Sequence, residues 1–316
     1  MGDVSGSNVC VTGGCGFLGS HLVDHLIDDL GCNVLVLDNL IVGRRDFLHP
    51  KAKFVWCDIT QSEHTLYKLF KENKINYVFQ YAASPYVPDS YTRPLHVFDT
   101  NARAALMVMN AAMESGSVKR ILQVSSAEIY GNIGGRIEEE DNAHPHSTYG
   151  ASKLAIDAIV QTRWKEAGCT AIALRQFNCL GERDIFHPYV IPEIIEQATK
   201  SNVIRLGNNT FRDFMYAGDA VKMAVELLEK GSCGEVYNLG SQDGIKIYDL
   251  AREIGRIMGK ELVVEYDPLR ARPWDINHLQ SDNKKIYDKI ERRPEVSFEE
   301  ALKRTIDSYL KYNVRT

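Results

Sequence analysis

The stretch Thr12-Gly13-Gly14-Cys15-Gly16-Phe17-Leu18-Gly19 decides the fold. A short β-branched run, Asn8-Val-Cys-Val-Thr12, leads into it, and an amphipathic segment from Phe17 to Leu30 follows, so a strand enters a glycine-rich turn and leaves as a helix. In that context the Gly14-x-Gly16-x-x-Gly19 spacing lets backbone approach a pyrophosphate, whose charge meets the helix N-terminus. Gly13, Gly16, Phe17, Leu18 and Gly19 are the candidate contacts.

Working outward, apolar runs alternate with amphipathic stretches through the first half of the chain. Strands are expected at Asn33 to Leu37, Lys53 to Trp56, Tyr77 to Tyr81, Arg120 to Ser125 and Ala171 to Phe177. Helices are expected at Glu63 to Glu72, Leu95 to Ser115 and Thr148 to Lys165. This is the pattern of βαβ units, hence of an α/β Rossmann fold with a doubly wound parallel sheet. After Asn178 the alternation loosens into turns bearing Pro188 and Pro192, strands near Val203 to Leu206 and Val236 to Leu239, and helices near Asp219 to Glu229 and Ile247 to Met258. A smaller C-terminal substrate-binding lobe is expected from residues 178–213 and 241–316, with 1–177 forming the dinucleotide domain and 214–240 returning to it.

Asp38 ends the second strand, where a carboxylate accepts hydrogen bonds from ribose hydroxyls and repels a 2′-phosphate, so NAD is expected over NADP. Arg44 and Arg45 follow closely and leave a phosphate host open as the other reading. Asp58-Ile59, just past the third strand, is placed to meet the adenine, although an Asp after a strand also serves as a turn or helix cap.

Composition narrows the partners. With 316 residues, 44% of them hydrophobic, and a net charge of -5, the chain has the core of a globular enzyme and no basic footprint for nucleic acid. The apolar run Val9 to Val11 is too short for a signal peptide or membrane span, so no membrane partner and a cytoplasmic location are expected. The seven cysteines are scattered without a C-x-x-C pair and read as reduced structural thiols, with no metal site. The acidic run Glu138 to Asp141 reads as a solvated loop.

Two segments carry chemistry: Val124-Ser-Ser-Ala-Glu-Ile-Tyr-Gly131 at a strand end, and Tyr149-Gly-Ala-Ser-Lys153 at a helix start. Tyr149 and Lys153, four apart, share a helical face, and an ammonium there lowers the Tyr pKa so that the phenolate removes a hydroxyl proton while a nicotinamide takes the hydride. Glu128 lies two positions after Ser126, on the same side of an extended segment, where its carboxylate is available to a carbon-bound proton.

Together these residues resemble the extended short-chain dehydrogenase/reductases that act on nucleotide-sugars. The resemblance runs along nearly the whole chain, through Asp38-Asn39-Leu40, Asp58-Ile59, Ala82-Ala83, Thr100-Asn101, Ser125-Ser126, Tyr149 with Lys153, Arg175-Gln-Phe-Asn178, Arg212-Asp-Phe-Met-Tyr216 and Arg272-Pro273. It implies an NAD-dependent enzyme with Ser126, Glu128, Tyr149 and Lys153 as catalytic groups. Asn39, Ala82, Ala83 and Asn101 would join the cofactor contacts. Asn178 and Arg212 would hold the nucleotide diphosphate, and Arg272 would lie near the nucleotide. Ser84 and Tyr86, in Ser84-Pro-Tyr-Val-Pro-Asp-Ser90, are the candidate sugar contacts, with a proline-braced turn as the other reading. The helices Leu95 to Ser115 and Thr148 to Lys165 resemble the pair that builds a four-helix homodimer interface.

Within that resemblance Glu128 points to a hexose 4,6-dehydratase or a uronate decarboxylase, since C4-epimerases carry a non-acidic residue there. Ala127 departs from the dTDP- and CDP-glucose dehydratases, which have Asp at that position. Gln80-Tyr81 and Cys179-Leu180-Gly181 also depart from the usual pattern, so the sugar stays open, and so do C4-epimerisation and decarboxylation as alternatives to dehydration.

Overall fold

The computed structural model describes residues 3–186 and 189–313. Six apolar runs form β1 (Asn8–Thr12), β2 (Asn33–Asp38), β3 (Lys53–Trp56), β4 (Tyr77–Gln80), β5 (Arg120–Ser126) and β6 (Ala171–Gln176). The chain then makes β7 (Asn178–Leu180), β8 (Val203–Leu206) and β9 (Phe211–Tyr216), returns as β10 (Val236–Leu239), and adds β11 (Gly244–Lys246), β12 (Val263–Tyr266) and β13 (His278–Leu279).

β10, β6, β5, β4, β1, β2 and β3 lie side by side in that order, every neighbouring pair parallel. This is a doubly wound Rossmann sheet. Its order reverses between β1 and β4, where Thr12 pairs with Gln80, and the crevice beyond their carboxyl ends is the switch point at which such sheets bind ligands.

Both faces are covered, which explains the continuous apolar runs. Val9, Val11, Val34, Val36 and Phe79 point to one face, against the helices Phe17–Asp24 and Ala217–Lys230. Cys10, Leu35, Leu37 and Val78 point to the other, against Glu63–Glu72, Ala104–Ser115 and Thr148–Ala167. A separate apolar cluster joins the helices Val190–Lys200, Ile247–Ile257 and Phe298–Asn313 to β8 and β9.

Several expectations change. The helix from Phe17 is α-helical only to Asp24 and continues as a π-turn over His25–Asp29, which keeps His25, Leu26 and Ile27 buried. The helix expected from Leu95 is Pro94–Phe98, a π-turn Asp99–Arg103, then Ala104–Ser115. Pro192 is not in a turn but third in the helix Val190–Lys200, where its missing N–H has no intrahelical partner to lose; Pro188 lies outside the described residues. The acidic run is not uniformly solvated: Glu139 is buried, and its Oε1 accepts the Asn238 N–H at 2.6 Å. Among the described residues no helix is long and apolar enough to cross a membrane.

Candidate active site

One cleft of about 1040 Å³ opens over the carboxyl end of the sheet and runs from Asp38 and Asp58, past Tyr149, to Arg212 and Arg272. The glycine loop forms its floor. Gly13 has φ +71°, and a Cβ there would lie 2.6 Å from the Ala82 nitrogen. A Cβ on Gly19 would meet the Gly13 oxygen at 2.1 Å, while Gly16 is the extended N-cap of the first helix. The spacing that matters is therefore 13, 16 and 19. Gly14, read from the sequence as the first glycine of the motif, instead faces inward, where a Cβ would crowd Val36. This cradle of bare backbone at a helix N-terminus fits the pyrophosphate of a dinucleotide.

Asp38 is buried, and its two oxygens accept the N–H groups of Cys15 at 2.9 Å and Leu40 at 2.8 Å. Burial raises its pKa, and those two donors pull it back down. The arginines left open as phosphate hosts are engaged elsewhere: Arg44 pairs with Asp46 at 2.7 Å, and Arg45 lies 3.9 Å above the Phe54 ring centre. Asp58 caps a turn, accepting from the nitrogen and hydroxyl of Thr60, and still lines the cleft with Asn39, Ile59, Ala82 and Ala83.

Asn101 does not line the cleft. It is buried below it, accepting the Ser84 N–H at 2.8 Å and donating to the Ser152 hydroxyl at 3.0 Å, so its amide braces Ser84 from behind. A polar side chain read from its motif as a ligand contact is spent on the Ser84 backbone and the Ser152 hydroxyl.

At the reacting end, β5 delivers Ser126, whose Oγ accepts the Glu128 N–H at 3.2 Å. That cap curls Ala127–Ile129 into one 3-10 turn, so the segment is not extended as its spacing implied. The Glu128 carboxyl nonetheless enters the same cleft and makes no hydrogen bond or ion pair among the described residues. Burial raises its pKa, against the pull of Arg212 and then Arg272; Asp275 adds to the rise.

The Ser147 hydroxyl caps the helix that carries Tyr149 and Lys153. Lys153 Nζ lies 5.8 Å from the Tyr149 ring centre but donates its hydrogen bond to Val124 O at 2.7 Å. The expected lowering of the Tyr149 pKa is absent here: burial pushes the phenol up to about 12, with Ser126 hydrogen bonding opposing it. Burial pushes Lys153 down to about 8, partly restored by Asp157. In both groups desolvation dominates, and it disfavours the charged form.

On the substrate side, Ser84, Tyr86, Asn178, Arg212 and Arg272 all line the cleft. Arg212 is buried and already holds Asp275 at 2.8 Å and the carbonyls of Phe211 and Ile276, which leaves Nε and one Nη2 hydrogen. Arg272 is half-buried, and its guanidinium has no ion pair among the described residues. Sequence reasoning missed Asp275, Asn208, Asp184, Phe186 and Tyr189, which line the same cleft. Asp275 was findable, three residues beyond Arg272 as a partner for a buried arginine; Asp184 carried no motif.

The chain is 30% identical to a UDP-glucose 4-epimerase of Lacticaseibacillus casei over 90% of its own length and 91% of the relative's. It is 30% identical to a dTDP-D-glucose 4,6-dehydratase of Mus musculus over 96% and 88% of the two chains. A UDP-glucose 4-epimerase of Thermotoga maritima, solved with UDP-glucose, superposes with a TM-score of 0.90 at 30% identity, covering 96% of this chain and 99% of that one. The protein is thus an enzyme of NAD-dependent nucleotide-sugar modification. The model of the NAD dependent epimerase/dehydratase family matches residues 9–240, and the chain belongs to that family.

Proposed function

We propose that the enzyme is a nucleotide-sugar 4,6-dehydratase. The observation that supports this above all is Glu128, an unpaired carboxyl with a raised pKa in the cleft that also holds Ser126 and Tyr149. Bound NAD supplies a nicotinamide that accepts a hydride from the sugar C4 and later returns it. The protein does the rest. Ser126 orients the C4 hydroxyl and Tyr149 takes its proton, with the Lys153 ammonium favouring the phenolate. The resulting ketone acidifies C5; Glu128 removes that proton and passes it to the C6 oxygen, so that the C5–H and C6–O bonds break, the C5=C6 bond forms and water leaves. Asn178, the free edge of Arg212 and Arg272 hold the diphosphate, a guanidinium matching it in charge and fork geometry.

UDP-glucose 4-epimerases among the relatives at equal identity favour C4-epimerisation as the second reading. The product mass separates them. Purified protein is incubated with UDP-, dTDP-, CDP- and GDP-hexoses and with UDP-glucuronate. Loss of water is expected; an unchanged mass with an altered sugar, or loss of carbon dioxide, overturns the dehydratase reading. Glu128→Gln is expected to abolish dehydration while C4 oxidation, followed by reduced-nicotinamide absorbance, persists.

A second copy of the chain is the expected protein partner. Leu95 is 82% exposed and Phe98 42% exposed on the helix that packs beside Thr148–Ala167, an apolar face suited to a four-helix interface.

A further inference from the structure

Asp184 is the one buried carboxyl of the cleft, among the described residues, that no step above uses and no side chain or N–H satisfies. Its side chain lines the cleft at 5% exposure of the residue. Buried carboxyls without partners are destabilising, and in a folded protein each calls for a reason.

The backbone around it is held in place at a cost. Arg183 has φ +68°, a left-handed conformation rare for a long side chain, and three tethers hold it there. Its N–H donates to the Ser308 hydroxyl at 2.9 Å, its guanidinium reaches Asp24 at 2.5 Å, and the preceding carbonyl, of Glu182, meets His21 Nε2 at 2.8 Å. The turn thus ties the Arg183 guanidinium to Asp24 at the cleft edge, away from hydrogen-bonding distance of Asp184, and leaves the neighbouring carboxyl facing the cleft. Tyr86, Phe186 and Tyr189 form an aromatic wall of the same cleft, with ring centres 5.0 to 6.2 Å apart.

We propose that Asp184 recognises the sugar, donating a hydrogen bond from its protonated carboxyl to a substrate hydroxyl and so discriminating the sugar moiety from the bare nucleotide. The proposal rests on the nucleotide-sugar reading of the cleft but not on which reaction follows. A hydroxyl supplies the partner that the carboxyl lacks. Burial pushes Asp184 up to about 8, so at neutral pH it carries the proton to donate. The titratable groups that face it among the described residues are Cys179 on β7 and Tyr189 before the helix Val190–Lys200. Burial raises both, so they stay neutral through that range; of the described groups that face Asp184 only its own carboxyl titrates there, while Lys153, farther along the cleft, titrates near the same pH.

The test is binding by calorimetry to UDP-glucose and dTDP-glucose beside UDP and dTDP, for wild type, Asp184→Asn and Asp184→Ala. Asp184→Ala is expected to weaken the sugar nucleotides about tenfold and leave the diphosphates unchanged, since a lost hydrogen bond to a substrate costs on that order. Wild-type affinity for the sugar nucleotides is expected to fall above pH 8, and Asp184→Asn, a permanent donor, is expected to remove that dependence. Equal loss for diphosphates and sugar nucleotides, or a pH profile that Asp184→Asn retains, overturns the proposal. A wild type that binds none of the four overturns the nucleotide-sugar reading itself, and the role of Asp184 with it.

Discussion

Lys153 places its ammonium 5.8 Å from the centre of the Tyr149 ring while donating to the carbonyl of Val124 at 2.7 Å. The lysine is therefore anchored by the strand that carries Ser126, which fixes its ammonium relative to the phenol. Lys153→Met removes that charge and its hydrogen bond to the Val124 carbonyl. C4 oxidation is expected to fall ~10²–10⁴-fold, the usual span for a general-base system. Because burial lowers Lys153 to about 8 and raises Tyr149 to about 12, the wild-type rate is expected to rise with pH up to about 8 and then level off, loss of the ammonium offsetting the gain in phenolate. A kcat profile still rising at pH 10 counts against this role.

Arg212 and Arg272 share a cleft but not a structural burden. Arg212 pairs with Asp275 at 8% and 14% side-chain exposure, and removing one member of such a pair leaves the other charge buried. Arg212→Met is expected to cost about 3–5 kcal/mol in urea unfolding. Arg272→Met, with no pair to break, is expected to change stability by less than about 0.5 kcal/mol while weakening nucleotide diphosphate binding at least tenfold. Similar stability losses for both overturn the distinction.

The sheet was legible because its strands are buried on both faces and so read as unbroken apolar runs between glycine and helix signals. The proposed quartet was legible as a group for a different reason: Ser126, Glu128, Tyr149 and Lys153 lie at a strand end and a helix start that open on one cleft, although the turn at Ala127–Ile129 was not read from the spacing. What stayed hidden depends on distant partners. Asn101 is turned inward by Ser84 and Ser152, Glu139 is buried against Asn238, and the inversion of the Tyr149 shift comes from desolvation by burial, which local spacing does not show. β11 and β13 are strands of three and two residues that flank β9 on either side, too short to show an alternating pattern.

The three glycines of the loop are not equivalent. At Gly19 a Cβ meets backbone at 2.1 Å and at Gly13 at 2.6 Å with positive φ, whereas at Gly16 the nearest atom is 3.2 Å away. Gly13→Ala and Gly19→Ala are expected to lose co-purified NAD, read by absorbance after denaturation, and Gly16→Ala to retain a measurable share. An equal loss in all three variants contradicts the ranking.

Exposed Leu95 and Phe98 define the dimer test. Wild type is expected to elute with twice the chain mass of 35.6 kDa by light scattering, and Leu95→Glu to shift it toward the monomer with the NAD content intact. A monomeric wild type removes the dimer proposal.

Asp184 also makes a prediction about stability. Its carboxyl is raised by burial from the ordinary 3.8 to about 8, so the folded state holds a proton that the unfolded state releases across that window. Folding through this group therefore loses ground as pH rises from about 4 to 8, and the loss is complete above 8. Asp184→Asn removes the titration and keeps the shape. The melting temperature of the variant is expected to match wild type near pH 4 to 5 and to exceed it at pH 8.5, by about 2–4 °C for each kcal/mol relieved. Because the same substitution is expected to erase the pH dependence of sugar-nucleotide binding, gain in stability and loss of that dependence should appear in one variant, as they do where a strained group is retained for its ligand. A melting difference that stays constant from pH 5 to 8.5 shows that Asp184 is not the titrating group.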